Sequence, residues 1–122
     1  MVARLLADGT PDTTFGTDGI VTTDVTGREI ERASDVAVDG SGNVYVAGTA
    51  GPDWVLLKLL ADGSSDPSYG TDGRAVGLAH SAFAEMRAPR LLLGADGGAL
   101  LAGTSDRGVL VARVRPNGLT FG

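Results

Sequence analysis

The 122 residues suffice for one ordinary domain, and a hydrophobic content of 43% is enough to bury a core. The formal net charge is -5 and the ten basic residues are scattered, which disfavours nucleic acid or an anionic membrane as a partner. The sequence contains no cysteine, which excludes disulfides, thiolate zinc sites and thiol catalysis.

Targeting and membrane signals are weak. Residues 1–10 turn polar too early for the apolar stretch of a secretory signal. No apolar run approaches the ~20 residues of a membrane span. We therefore expect a soluble chain whose compartment the sequence leaves open.

The first distinctive motif, ADGTPDTTFGTDG at 7–19, returns as ADGSSDPSYGTDG at 61–73, an offset of 54 residues. A second stretch at 36–49 returns at 91–104, an offset of 55, and residues 109–118 match 54–63. A fixed period of this size indicates a repeat fold. We divide the chain 1–122, a single segment, into repeat units at about 1–25 (partial), 26–78 and 79–122 (lacking its outer strand).

Short strands follow one another along the chain. They are predicted at 2–6, 19–25, 35–39, 43–49, 54–60 and 73–78, with three more between 90 and 115. The GSG turn at 40–42 makes a tight hairpin. Residues 80–88 contain helix-forming residues and could make a turn or two of helix, which Pro89 would end at once, but we do not include this helix in the prediction. Four strands per ~55 residues predict an all-β fold of four-stranded antiparallel propeller blades, about two per chain.

Two features suggest that these sheets are covered on both faces. The strands at 54–60 and 109–114 are almost continuously apolar. The recurrent Ala-Gly-Thr at 47–49 and 102–104 would let neighbouring sheets approach closely, because its side chains are small.

The segment LLADGTPDTTFGTDGIVTTD, followed by VAVDGSGNVYVAG, resembles the delta-60 repeat of bacterial proteins. Its hairpin is also similar to NHL-type propeller repeats with the pattern D-x-x-G-N-x-Y-V. The resemblance implies a β-propeller, a bacterial secreted or cell-surface setting and no shared catalytic residues. By analogy with NHL blades, 35–39 would be innermost, 43–49 second, 54–60 third and 73–78 outermost.

The chain is shorter than a closed propeller, which typically needs four to eight blades. An open arc of two blades would leave apolar faces in water. We therefore expect a fragment of a longer propeller or a ring of identical chains, with three chains giving six blades and two or four also open. The redundant third strand at each end would act as a clasp. The start at a repeat boundary after Met1 suggests an excised or engineered fragment.

The acidic loops are candidate cation sites. Asp8, Asp12 and Asp18 could offer oxygen ligands to Ca²⁺, but their spacing departs from that of a calcium loop, and Asp and Gly also favour turns. We predict turns.

A second acidic loop holds three polar residues at alternate positions, Asp39, Ser41 and Asn43. Its repeat reads GADGG and loses two of them, which favours a hairpin turn over a cation loop.

Other candidate residues have ordinary explanations. His80 is the only histidine. Its neighbour Ser81 is too close along the chain to form a nucleophile–base pair with it. Trp54 and Tyr45 could stack on a sugar, yet Val109 replaces Trp54 in the next copy.

A basic residue recurs at one position of the repeat, as Arg4, Lys58 and Arg113. These side chains could line an anion site. We favour aliphatic stems packed between blades with each charge paired to a nearby Asp.

The sequence thus predicts a non-enzymatic module with a structural or protein-interaction role. Its expected partner is a second copy of itself, in a trimer. We predict no catalytic, cofactor-binding or metal-binding residue and no cofactor. A propeller that binds a carbohydrate or an anion is the alternative, and an enzyme on a propeller scaffold is the third reading.

Overall fold

The computed structural model describes residues 1–23, 31–51, 53–76, 87–105 and 108–119. These residues form nine strands: β1 (Val2–Ala3), β2 (Ile20–Val21), β3 (Glu31–Val38), β4 (Val44–Ala50), β5 (Asp53–Leu59), β6 (Arg74–Val76), β7 (Arg90–Leu93), β8 (Ala99–Ser105) and β9 (Gly108–Val114). In the described part of the chain no helix is long and apolar enough to cross a membrane.

The strands form three antiparallel sheets in chain order. The first sheet is β1-β2, the central sheet β3-β4-β5-β6 and the last sheet β7-β8-β9. The predicted all-β class is confirmed, and the described residues contain the nine strands expected, with the four strands of the central blade adjacent in chain order as predicted. The segment 80–88, weighed as a short helix, lies mostly outside the described residues, and 87–89 have no regular structure.

Some strand bounds differ from the prediction. The inner strand β3 begins at Glu31 instead of 35, and its register against β4 shifts between Ala33 and Asp35. This bulge places the Arg32 carbonyl where a side chain on Gly48 would lie. The glycine of the first Ala-Gly-Thr therefore accommodates a neighbouring strand of its own sheet, which corrects its predicted role between sheets.

The second Ala-Gly-Thr does act between sheets. A Cβ on Gly103 of the last sheet would lie 2.7 Å from Cζ2 of Trp54 in the central sheet. The small residue thus lets the two sheets approach across a buried indole ring.

Tight turns set where the outer strands begin. β2 begins at Ile20, directly after Asp18 and Gly19, which both have positive φ values of 53° and 85°. The predicted residues 24–25 of this strand and 77–78 of the outermost strand lie outside the described residues.

Alternation along the strands sends side chains into two separate cores. From β4, Tyr45 and Ala47 point to the last sheet, whereas Val44 and Val46 point to the first. The core between the central and last sheets is built around Trp54, Leu56, Tyr69, Leu101 and Val114. The core between the first and central sheets includes Phe15, Val55, Leu57 and Leu59. The central sheet is therefore covered on both faces, as its apolar strands predicted.

Candidate functional site

The acidic loop after β1 uses its carboxylates to close its own turns. Asp8 Oδ1 accepts hydrogen bonds from Thr10 N and Oγ1 at 2.9 and 2.6 Å, and Asp12 Oδ1 accepts from Thr14 N and Oγ1 at 3.0 and 2.6 Å. These donors lower the pKa of both carboxyls, the threonine hydroxyl first in each case. Asp18 takes the left-handed conformation of a tight turn. The predicted turn structure is confirmed.

The second copy of the motif repeats this geometry. Asp62 accepts from Ser64 N and Oγ at 2.9 and 2.6 Å, and Asp66 accepts from Ser68 at the same distances. Thr and Ser thus act alike in the two copies. In the described part of the chain, no group of three His, Cys, Asp or Glu side chains is placed to hold a metal ion.

The recurrent basic residue holds the loop to the third strand. Arg4 Nε lies 2.8 Å from Asp12 Oδ2, and Lys58 Nζ lies 2.8 Å from Asp66 Oδ2. Arg4 also stacks over the Phe15 ring, with Cζ 4.6 Å from the ring centroid. The predicted pairing of Arg4 and Lys58 with a nearby Asp is confirmed.

The second of these pairs is the better buried one. The hydrogen bond from Lys58, with a further one from Ser68, lowers the pKa of Asp66 to about 2. Burial raises the pKa of the adjacent Tyr69 hydroxyl. The pair therefore fixes a charged carboxylate inside the blade interface.

The loop at 39–43 is a hairpin turn. Asp39 Oδ1 accepts from Ser41 N at 2.9 Å and from Asn43 N at 3.0 Å, while Oδ2 accepts from Asn43 Nδ2 at 3.0 Å. In the last sheet Asp96 Oδ1 accepts from Gly98 N at 2.9 Å, so another acidic residue closes the equivalent hairpin. The predicted turn is confirmed.

The aromatic candidates are inside the protein. Trp54 is fully buried, with Nε1 donating to the Arg87 carbonyl at 3.2 Å. Tyr45 is buried as well and meets Tyr69 edge to face, with ring centroids 5.9 Å apart. Neither ring presents a face for stacking on a sugar. His80 and Ser81 lie outside the described residues.

Neighbouring blades meet through a repeated glycine contact that the sequence analysis missed. Gly16 N donates to the Asp62 carbonyl at 2.8 Å, and Gly70 N donates to the Asn117 carbonyl at 2.7 Å. The residue after the accepting carbonyl is a glycine in both cases, Gly63 and Gly118. A Cβ on Gly63 would lie 2.7 Å from Gly16 N, and a Cβ on Gly118 would lie 2.5 Å from Gly70 N. The offset of the repeat was the signal that could have revealed this contact.

The first copy of that turn has no such partner among the described residues. Gly9 occupies the position of Gly63 and Gly118 and has a φ of 87°, like theirs, but a Cβ on it would meet no atom within 4 Å. Two of the three copies of this turn thus contact a neighbouring blade within the described residues, and the copy at Gly9 does not.

The outward side of the last sheet carries an apolar patch, which we call the C-terminal end face. It consists of four exposed residues, Leu92, Leu100, Val109 and Val111, with Arg113 beside them. Val109 is 76% exposed and Val111 64%, whereas Trp54 and Leu56, at the same repeat positions in the central sheet, are fully buried. The same positions are therefore a core in one blade and a surface in the next.

The first sheet has an apolar outward side too, which we call the N-terminal end face. It includes Ala3, which pairs with Ile20, and Leu5, all of them exposed. The equivalents of Ala3 and Leu5 in the central sheet, Leu57 and Leu59, are buried.

An open groove lies beside the inner strand of the central sheet. Val36 and Val38 of β3 are 58% and 62% exposed, whereas their equivalents Leu91 and Leu93 are half-buried against the central sheet. The groove has a volume of about 380 Å³ and runs between residues 1–3 and β3. It lies where a complete blade would have its two inner strands, since the first sheet has only β1 and β2 among the described residues.

Comparison with protein families agrees with this architecture. Residues 2–15 and 40–69 match the family described as "Domain of unknown function (DUF5122) beta-propeller". The chain has an all-β fold built of β-propeller blades. The two matched stretches include β1 with its acidic loop, and the hairpin, third strand and second acidic loop of the central blade. No curated protein and no solved structure matches the chain.

Proposed function

We propose that this chain is a non-enzymatic propeller module of the delta-60 or NHL-like kind, with a structural or protein-interaction role, and that it closes into a ring by self-association. Three chains would give six blades. The proposal is supported by one observation above all: the chain buries a blade interface twice and exposes the same apolar positions at both ends.

The energetic reason for closure is the apolar area left in water. Side chains such as Val109 and Val36 gain about 25 cal/mol per Å² of apolar surface when they are covered. The C-terminal end face of one chain and the groove side of the central sheet of the next are different surfaces, so contact between them is head to tail. A head-to-tail contact with the rotation of a propeller closes into a ring and does not extend into a fibre.

The strand content of the two ends is complementary. The last sheet has an inner, a second and a third strand, and the first sheet has a third and an outer strand. β1 and β9 thus hold the same position. β9 pairs with β8 along the whole length of β8, from Ala99 to Ser105, whereas β1 pairs with β2 at two residues. We therefore expect β9 to keep the third position of the shared blade, with β1 of the next chain displaced. β2 of that next chain would then pair with β9 as the outer strand.

A non-enzymatic role is supported by how the acidic groups are used. In each acidic loop a carboxylate oxygen accepts a hydrogen bond from the backbone N–H two residues further on. This holds for Asp8, Asp12, Asp62 and Asp66. Such groups hold the loops in shape and are poorly placed for proton transfer to a substrate.

A charged residue on the C-terminal end face tests the proposal. Val111→Asp should reduce the sedimentation coefficient to that of a single folded chain, because a carboxylate would be buried unpaired in the contact. Val76→Asp is the matched control: this valine is also exposed but lies on the outer strand β6 of the central sheet. An unchanged sedimentation profile for Val111→Asp would contradict the proposal.

A further inference from the structure

The innermost strands of the central and last sheets are joined by an ion pair. Arg90 Nε of β7 lies 3.1 Å from Asp35 Oδ2 of β3, and the same oxygen accepts a hydrogen bond from Leu91 N at 2.9 Å. Beside them, Ser34 Oγ donates to the Pro89 carbonyl at 2.6 Å. This cluster is the inner contact between two successive blades.

The two charged residues of this pair occupy the same position of the repeat. Asp35 and Arg90 are 55 residues apart, which is the offset of this part of the sequence. Successive blades therefore present opposite charges at one place on their innermost strands. If blades of this chain follow one another around a ring, the charges alternate, and every Asp35 has an Arg90 on each side.

Asp35 is one of the residues that line the groove beside β3, and 22% of its side chain is exposed. Its Oδ1 accepts a hydrogen bond from Val36 N at 3.0 Å. Arg90 has its side chain 83% exposed, and a guanidinium carries five N–H donors, so it can serve two carboxylates at once. Both partners of the pair are thus able to make the contact again.

We propose that β7 of a second copy lies in the groove beside β3 and places its Arg90 against Asp35. The inner rim of the assembly then carries alternating Asp35 and Arg90 side chains. This inference rests on the proposed self-association and specifies its partner and register. It continues the order of blades within the chain: β7 follows β3 in one chain, and β3 of the next chain would follow β7 through the opposite faces of the two strands.

Apolar contacts favour the same placement. The outward residues of the incoming inner strands, Leu92 and Leu100, would meet the exposed Val36 and Val38. Their burial removes two exposed patches with one contact. A small ligand in the groove would leave the C-terminal end face uncovered.

Single-cysteine variants test this register, because the chain has no cysteine of its own. Asp35→Cys chains and Arg90→Cys chains, refolded together and oxidised, should form a disulfide-linked dimer that reductant converts back to single chains. Neither variant should cross-link when it is refolded alone. In such a ring, cysteines at the same position of two neighbouring chains are separated by a whole blade. The double variant in one chain is the positive control, because the Asp35 side chain reaches the backbone next to Arg90, with Leu91 N 2.9 Å from Asp35 Oδ2.

The outcomes separate this inference from the proposed function. If the mixture assembles by light scattering and the in-chain control closes, but no linked dimer forms, the register is wrong and self-association stands. If every sample has the mass of one chain, self-association fails and this inference fails with it.

A charge exchange gives a second test that needs no disulfide geometry. The double variant Asp35→Arg with Arg90→Asp should assemble with itself, since opposite charges still alternate. Mixed with the wild type, it should sort into separate assemblies, because each mixed contact juxtaposes like charges. The neutral double variant Asp35→Asn with Arg90→Gln should mix with both. Statistical mixing of wild type and exchanged chains by native mass spectrometry would overturn the proposal.

Discussion

At the scale of single residues, the repeat offers the same residue in two different surroundings. Gly9 and Gly63 share a motif and a positive φ of 87° and 88°, yet only Gly63 faces backbone atoms of the preceding blade. The difference between them measures the blade contact alone, because the cost of a left-handed backbone is common to both.

Gly63→Ala should therefore destabilise the chain more than Gly9→Ala. We expect a loss of about 1 kcal/mol for Gly9→Ala from its backbone conformation, and at least twice that for Gly63→Ala from the added clash with Gly16. Denaturant unfolding on a monomeric Val111→Asp background would measure both. Equal losses would show that the contact between the two loops is not formed.

The pair of Lys58 and Asp66 predicts a dependence on pH. The pKa of Asp66 in the folded chain, about 2, is lower than its ordinary value of 3.8, so the charged form stabilises the fold above about pH 4. That contribution is lost as pH falls towards 2. Asp66→Asn should therefore be less stable than the wild type at pH 6. The difference between their free energies of unfolding should be about 2 kcal/mol smaller at pH 2 than at pH 6.

Asp12→Asn is the matched comparison for this measurement. Asp12 holds the same position and lies 2.8 Å from Arg4, but both side chains are more exposed than those of Lys58 and Asp66. Solvent screening weakens such a pair, so the deficit should change less with pH. A larger change for Asp12→Asn would contradict this account of the two loops.

At the scale of elements, the third strands β5 and β9 show how position in the stack decides the role of a side chain. Trp54 of β5 fills the core against the last sheet, and Val109 of β9 faces outward. Trp54→Ala should cost about 3–5 kcal/mol of unfolding free energy, because it leaves a large cavity.

Val109→Ala should change the stability of the monomeric chain by less than about 0.5 kcal/mol, because the side chain is exposed. Both losses are measurable by thermal or denaturant unfolding on the Val111→Asp background. Comparable losses at the two positions would mean that the last sheet does not pack as described.

Much of the element level could be predicted from sequence because turns and strands have local signals. The offset of the repeat gave the number of strands and the order of the central sheet, and Asp with Gly gave the turns. The bulge at Ala33 and the early start of β3 had no such signal, since they depend on how the inner strand meets Gly48.

At the scale of the whole molecule, the interaction site depends on which blades are neighbours. The pairing of Arg4 and Lys58 with acidic residues was predictable because each pair lies within one repeat. The pair of Asp35 and Arg90 joins two repeats, and its opposite charges appear only when the repeats are aligned and stacked. Sequence patterns alone cannot show which apolar faces lack a neighbour, because the same residues are buried in one blade and exposed in the next.

The mass of the chain in solution tests the central claim most directly. Light scattering over a range of concentrations should give a monodisperse assembly with the mass of three chains, corresponding to six blades. A single-chain mass at every concentration would contradict the account, because the end faces and the groove would then remain uncovered in the folded protein.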